Sequence, residues 1–351
     1  MRLGGGSARG AASLAQQGRG LATIHEARPG AGTRCLRGIA ILLVLAHHSG
    51  LLVGGWLGVD LFFVLSGFLI TSLLLTKWGE HGTVSLRAFY SRRARRLLPA
   101  LALMLAAYVA VTGDVRGAGF GAAFLMNVVP SLGLNVPDEL GHLWSLATEE
   151  QFYLLWPPIL LVLLKRGVRP RSVMLGLAVS LTVELACSPW FDLRAAPILL
   201  GCMAGVAFSF GRLPQLDRRF VLVAFAVCAM LTVFARTDRV VPAYSFVFAL
   251  GACALLCACF EPNWLRGLLT LGPLRYLGRI SYGLYLWHYP IYWQVGWILG
   301  LPLLGLPLSL SIAILSHRYI EQPFLRRAGR PQRAAPKQPT PARTSVVPSL
   351  S

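Results

Sequence analysis

Between Arg37 and Tyr319 the chain is a succession of apolar runs, each near bilayer length and each closed by a short polar break. That pattern leaves few folds open. A segment in hydrocarbon must satisfy its own backbone hydrogen bonds, so repeated runs of this length dictate helices packed side by side. The runs fall at 37–54, 57–76, 97–112, 142–164, 173–188, 195–211, 220–235, 241–260, 280–299 and 301–319. The expectation is an all-α, polytopic membrane protein with about ten transmembrane helices. Composition agrees: 13% of residues are charged, against about 25% in soluble domains. The apolar stretch at 120–130 is too short to span and reads as re-entrant or interfacial.

The basic residues then act as topology signals. With the first segment in the cytoplasm, 29 of the 33 Lys and Arg residues fall on that side, and only Arg116, Arg194, Arg236 and Arg239 fall outside. The acids Asp114, Asp138, Glu139, Asp192 and Asp238 lean outward. The expected arrangement is multi-pass, with both termini cytoplasmic. Residues 1–33 read as a disordered arm without a secretory h-region, 34–325 as the transmembrane domain, and 326–351 as a disordered tail. The net charge of +19 is spread between apolar runs and forms no solvated patch, so no nucleic-acid partner is expected. The seven cysteines show no CxxC spacing; neither a metal site nor a disulfide framework is expected.

Ionisable residues inside such runs are costly, and their default reading is functional. Arg37 and His48 stand at the entrance and the middle of the first run, ~16 Å apart at helical rise. Asp60 enters the second run from outside, and His142, Glu149 and Glu150 belong to the fourth, in HLWSLATEEQFYLLWP. His288 is mid-span in the ninth, in ISYGLYLWHYPIYW. Asp60 and His288 read equally well as hydrogen-bonded structural groups. A pairing of His48 with Glu149 would orient the imidazole and stabilise its protonated form, a general-base arrangement. In FYSRRARRLLPA four arginines crowd a cytoplasmic mouth, which suits a polyphosphate because guanidinium forks bind phosphate bidentately. Ser91 is expected to cap that helix and Pro99 to lie in its first turn. Ser66 and Gly67 read as helix-packing residues; Ser66 lacks the strained elbow of a nucleophile.

Taken together, LRGIAILLVLAHH, GVDLFFVLSGFLIT, RRARRLLPA, HLWSLATEEQFYLLWP, LGRISYGLYLWHYPI and SHRYIEQPF resemble, in order, the membrane acyltransferase-3 family over most of 36–324. These are integral membrane O-acyltransferases that modify bacterial polysaccharides, lipid-linked sugars and some antibiotics. The resemblance implies His48 as the catalytic histidine, with Arg37 completing the family's Arg-x10-His pattern. It puts the family's RxxR pair on Arg93 and Arg96, holding the phosphates of acyl-CoA, and its glutamate on Glu149. The catalytic residues expected on this basis are His48 and Glu149; the donor-binding ones are Arg37, Arg93 and Arg96. Arg34 and Cys35 stand where the family commonly has an acid and a glycine. The expected reaction moves an acyl group, acetyl first, from cytoplasmic acyl-CoA to a hydroxyl of a saccharide, lipid-linked sugar or secondary metabolite. Ser145, Gln151 and Tyr153 are candidates for stabilising the oxyanion. The rival reading is a transporter or flippase, since midspan ionisable groups and glycine-broken segments also mark transporters.

Overall fold

The computed structural model describes residues 30–187, 194–236, 241–260, 267, 271–298, 300 and 302–328. The elements are α1 (Ala31–His48), a 3-10 turn (Val53–Leu57), α2 (Gly58–His81), α3 (Leu86–Thr112), the short α4 (Val115–Ala122), α5 (Leu143–Lys165), α6 (Pro170–Cys187), α7 (Ala196–Ser209), α8 (Arg218–Phe234), α9 (Val241–Ala258), α10 (Gly272–Ile291), α11 (Pro302–Ser316) and α12 (Gln322–Ala328). Two π-helical segments, Tyr292–Ile298 and His317–Glu321, follow α10 and α11. Among the described residues there is no strand, so the all-α expectation holds. Each of the apolar runs read from the sequence falls largely on helix. Among the described residues, three segments are long and apolar enough to cross a membrane on length and composition: Val53–His81, Leu86–Thr112 and Pro170–Cys187. Polar residues dilute others: α1 carries Arg34, Arg37 and the His47–His48 pair, and α5 carries Glu149 and Glu150. Most of the expected arm and tail, with Asp192, Asp238 and Arg239, lies outside the described residues. Helix reaches into both expected terminal segments, beginning at Ala31 and ending at Ala328.

α3 corrects two local expectations. Its cap is Ser85, whose side chain accepts from the Ala88 N–H at 3.2 Å. Ser91 and Pro99 are therefore interior. A proline there forgoes one helical hydrogen bond, and the Tyr282 hydroxyl donates to the neighbouring Leu97 carbonyl at 2.8 Å.

Glycine permits close contact at two helix pairs. A Cβ at Gly38 would strike the Leu274 carbonyl, and one at Gly278 the Arg34 carbonyl, so α1 and α10 touch backbone to backbone. Gly67 and Gly201 do the same for α2 and α7, against the Ile198 and Val64 carbonyls, as small residues do between membrane helices. Both pairs run parallel. Gly38 faces Gly278 and, one helical stretch later, the ring of His48 faces that of His288. Three apolar clusters fill the bundle. One joins α1 and α2 to α7, α8 and α9; one joins α1 to α3, α5 and α10; one joins α2 to α3, α5, α6 and α7. α1 and α2 are thus central, while Leu154, Leu155, Val179, Val183, Phe225 and Phe234 turn apolar surface outward, as lipid-facing positions do.

Candidate active site

The polar residues gather at two levels of the α1–α10 axis. At the lower level, α1, α2 and α3 wall a vestibule of about 750 Å³ lined by Arg37, Ser66, Lys77, Arg93, Arg96 and Tyr153 among others. Arg93 is already engaged there. Its Nε and Nη2 donate to the Glu150 carboxylate at 3.1 and 2.5 Å, and its guanidinium lies over the Tyr153 ring. The sequence reading missed this pair because its members are 57 positions apart. Arg96 makes no hydrogen bond or ion pair among the described residues, and its strongest electrostatic neighbour is the like-charged Arg37. Arg37 has a buried, partnerless Nε and stands 5.9 Å from the Phe62 ring centre. Glu321 and Glu150 lie within electrostatic range of Arg96, and Glu80 lines the vestibule, but none forms an ion pair with Arg37 or Arg96 among the described residues; the two guanidiniums can hold an anion.

At the upper level, His47, His48, Tyr289, Tyr292 and Trp293 line a chamber of about 300 Å³. The π-helical segment after α10 begins at Tyr292; such segments recur at functional sites. The His48 ring lies 5.1 Å from that of His288 and 4.6 Å from that of Tyr289. His142, at the N-cap of α5, stacks on Tyr289 at 5.0 Å and lies 5.5 Å from His288. The Nδ1 of His48 and the Nε2 of His288 are buried without a partner among the described residues; the buried His142 ring interacts with the Leu286 backbone. No His, Cys, Asp or Glu cluster of metal-binding geometry occurs among the described residues.

Between the levels lies a constriction of about 40 Å³ lined by Arg37, Phe62, Ser145, Glu149, Tyr282 and Tyr285, among others. The Tyr285 hydroxyl donates to the His142 carbonyl at 2.7 Å and accepts from Ser145 at 2.5 Å. Glu149 belongs to this level. It accepts from the hydroxyls of Ser66 and Tyr153, the latter at 2.6 Å. The expected His48–Glu149 pair is therefore not brought together. Glu149 is seven positions past His142, ~10 Å along the helix, and it is His142 that shares the level of His48. Of the residues considered for the oxyanion, Gln151 is tied to Asn127 and the Phe124 carbonyl, and Tyr153 to Glu149; Ser145 alone lines the constriction. Asp60 is fully buried near Arg194, which lies over Trp56 and Trp144. In the closing motif, His317 and Glu321 pair at 3.1 Å. Tyr285, Tyr289 and Trp293 went unread as site residues, although their spacing around His288 in LYLWHYPIYW was the available signal.

Comparison with known proteins bears on this arrangement. A family model described as an acyltransferase domain matches residues 32–316. The chain is 32% identical to the peptidoglycan O-acetyltransferase OatA of Listeria monocytogenes, over 82% of this chain and 54% of that protein. It is likewise 32% identical to the putative peptidoglycan O-acetyltransferase YrhL of Bacillus subtilis, over 82% and 54%. With the O-acetyltransferase OatA of Staphylococcus aureus strain MRSA252 it shares 29% identity over 89% of this chain and 60% of the relative. The chain thus spans little more than half the length of the curated relatives it matches. No solved structure matches.

Proposed function

The chain belongs to the membrane acyltransferase-3 family, and from that membership we propose that it is an integral-membrane O-acetyltransferase of a bacterial cytoplasmic membrane. Its donor is acyl-CoA, acetyl-CoA first, and its acceptor a glycan hydroxyl. The about ten spanning helices keep both termini in the cytoplasm, within a transmembrane domain of 34–325. One observation carries the reading: a cavity with unpaired guanidiniums and a cavity with a histidine lie at opposite ends of one axis, separated by a constriction.

Arg96 and Arg37 hold the CoA phosphates in the vestibule. Arg93, fixed by Glu150, shapes the wall and adds positive potential. The pantetheine arm passes Glu149 and Ser145 to carry the thioester toward the histidines. The acceptor enters the upper chamber, where Tyr289, Tyr292 and Trp293 offer flat apolar faces and polar edges to a sugar ring. Because Nδ1 of His48 is the buried nitrogen, Nε2 is the atom that takes the hydroxyl proton. The oxygen attacks the thioester carbonyl, the C–S bond breaks, and the imidazolium returns its proton to the departing CoA thiolate. Peptidoglycan, named for two of the relatives, is the first acceptor to test.

The experiment follows label from acetyl-CoA into envelope glycan in membranes carrying the wild type or His48→Ala at equal expression. The expected result is loss of transfer to background. Wild-type transfer by His48→Ala refutes the reading.

A further inference from the structure

The geometry points to His288 as the positioning residue that orients His48, which rests on the reading of His48 as the base. Helix α10 fixes the His288 ring. Its Nδ1 lies 2.7 Å from the Tyr285 carbonyl and 3.2 Å from the Leu284 carbonyl. Carbonyl oxygens only accept, so Nδ1 carries the proton and Nε2 is a bare lone pair. That lone pair belongs to a side chain with 0% exposure and has no partner among the described residues. A buried acceptor left unpaired is unfavourable, and a donor within reach removes the cost.

His48 is that donor. Its Nδ1 is buried and partnerless too, and its ring centre lies 5.1 Å from that of His288. As the rings stand, tilted by 59°, the two nitrogens are not bonded; at this spacing a turn of the His48 ring brings them to about 3 Å, a hydrogen-bond distance. A bond from His48 Nδ1–H to His288 Nε2 satisfies both atoms at once. It also leaves the His48 lone pair on Nε2, the tautomer a base facing the chamber needs. A carboxylate fills this role in hydrolase triads. Here a neutral imidazole does, which costs less to bury in an apolar bundle than an anion. The parallel α1–α10 contact through Gly38 and Gly278 holds both rings on one rigid scaffold. His142, 5.5 Å from His288 and in contact with the Leu286 backbone, is the competing donor, and the experiment separates the two.

Acetyl transfer is measured in membranes with each variant quantified and its melting temperature checked. His288→Leu should lower apparent kcat about 100-fold and leave the KM for acetyl-CoA unchanged. His288→Gln, whose amide oxygen reaches the place of Nε2, should recover to within about tenfold of wild type; His288→Asn, which is too short, should not. Replacing His48 by Nδ-methylhistidine keeps Nε2 but removes the Nδ1 donor. It should reproduce the His288→Leu loss, and the two changes combined should lose no more than either alone. Additive losses, full activity of the methylated enzyme, or the same non-additivity with His142→Phe in place of His288→Leu each overturn the inference. An inactive His48→Ala beside a fully active His288→Leu overturns it while sparing the acyltransferase reading; an active His48→Ala overturns both.

Discussion

Arg96→Ala should weaken donor binding, whereas Arg93→Ala should weaken the fold. The two residues share a motif and a cavity wall, but only Arg93 has a carboxylate partner among the described contacts. A hydrogen bond to a charged group contributes roughly 1.5–3 kcal/mol. Arg96 stands at an open vestibule, so the lower half of that range applies, and its loss should raise the KM for acetyl-CoA about 13–45-fold with kcat unchanged. S-acetylpantetheine lacks the nucleotide phosphates, and its KM should not respond to Arg96→Ala. The Arg93–Glu150 pair is a different case. The two side chains are 19% and 13% exposed, and removing one member of a buried pair leaves the other charged and unpaired, at about 3–5 kcal/mol. The vestibule hydrates one side of the pair, so about 3 kcal/mol is the expected loss, read as a fall in melting temperature in detergent. Glu150→Gln added to Arg93→Ala should restore much of it, because the orphaned charge is gone. If Arg93→Ala instead raises the acetyl-CoA KM as much as Arg96→Ala does and melts like wild type, the assignment of free and structural arginines is wrong.

Other outcomes test other parts. Gly278→Val places a branched side chain against the Arg34 carbonyl, and the forced separation of α1 and α10 should lower the melting temperature by an overpacking cost of about 1–3 kcal/mol, with transfer falling in parallel. Trp293→Ala, in the upper chamber, should raise the KM for the acceptor and leave that for acetyl-CoA alone. Asp114 caps α4, accepting from the Gly117 N–H at 2.9 Å and the Tyr108 hydroxyl at 2.8 Å. These bonds, the backbone one first, hold its carboxyl below the usual carboxylate range. A depressed folded-state pKa contributes stability that is present above the unfolded value and lost as pH falls through the folded one. The melting temperature of Asp114→Asn should therefore lie below wild type at neutral pH, and the gap should close on acidification.

The all-helical fold was legible in the apolar runs, although among the described residues only three helices are long and apolar enough to cross a membrane. The family motifs were legible for a related reason, since Arg37, His48 and Glu149 stand out against apolar surroundings. What the sequence hid was pairing. Glu149 and Glu150 are adjacent, yet 100° around the helix sends one to Ser66 and Tyr153 and the other to Arg93. Matching depth therefore did not make Glu149 the partner of His48; the deciding quantities were azimuth and the position of His142 seven residues earlier. The cap at Ser85 was equally hidden, because Ser85 and Ser91 are alike as residue types and only the chain turn before Leu86 chooses between them.

The partition between the chambers decides whether such a site can work at all. A passage open at both ends would let water reach the thioester and ions cross the bilayer. Among the described residues the vestibule and the histidine chamber share no lining residue, and the constriction between them is walled by side chains such as Phe62, Ser145 and Tyr285. Phe62 and Tyr285 meet edge to face at 6.3 Å, and two hydrogen bonds hold the Tyr285 hydroxyl. At about 1 kcal/mol net per hydrogen bond, releasing that hydroxyl costs about 2 kcal/mol, less than a bound donor can supply. Tyr285→Phe should then open the partition roughly 30-fold more readily, and Tyr285→Ala should remove it. Both variants should hydrolyse acetyl-CoA without acceptor, the alanine variant faster, while the KM for acetyl-CoA stays near wild type. If neither variant raises acceptor-independent hydrolysis and both still transfer acetyl groups, the thioester reaches the histidines by a route that does not pass Tyr285.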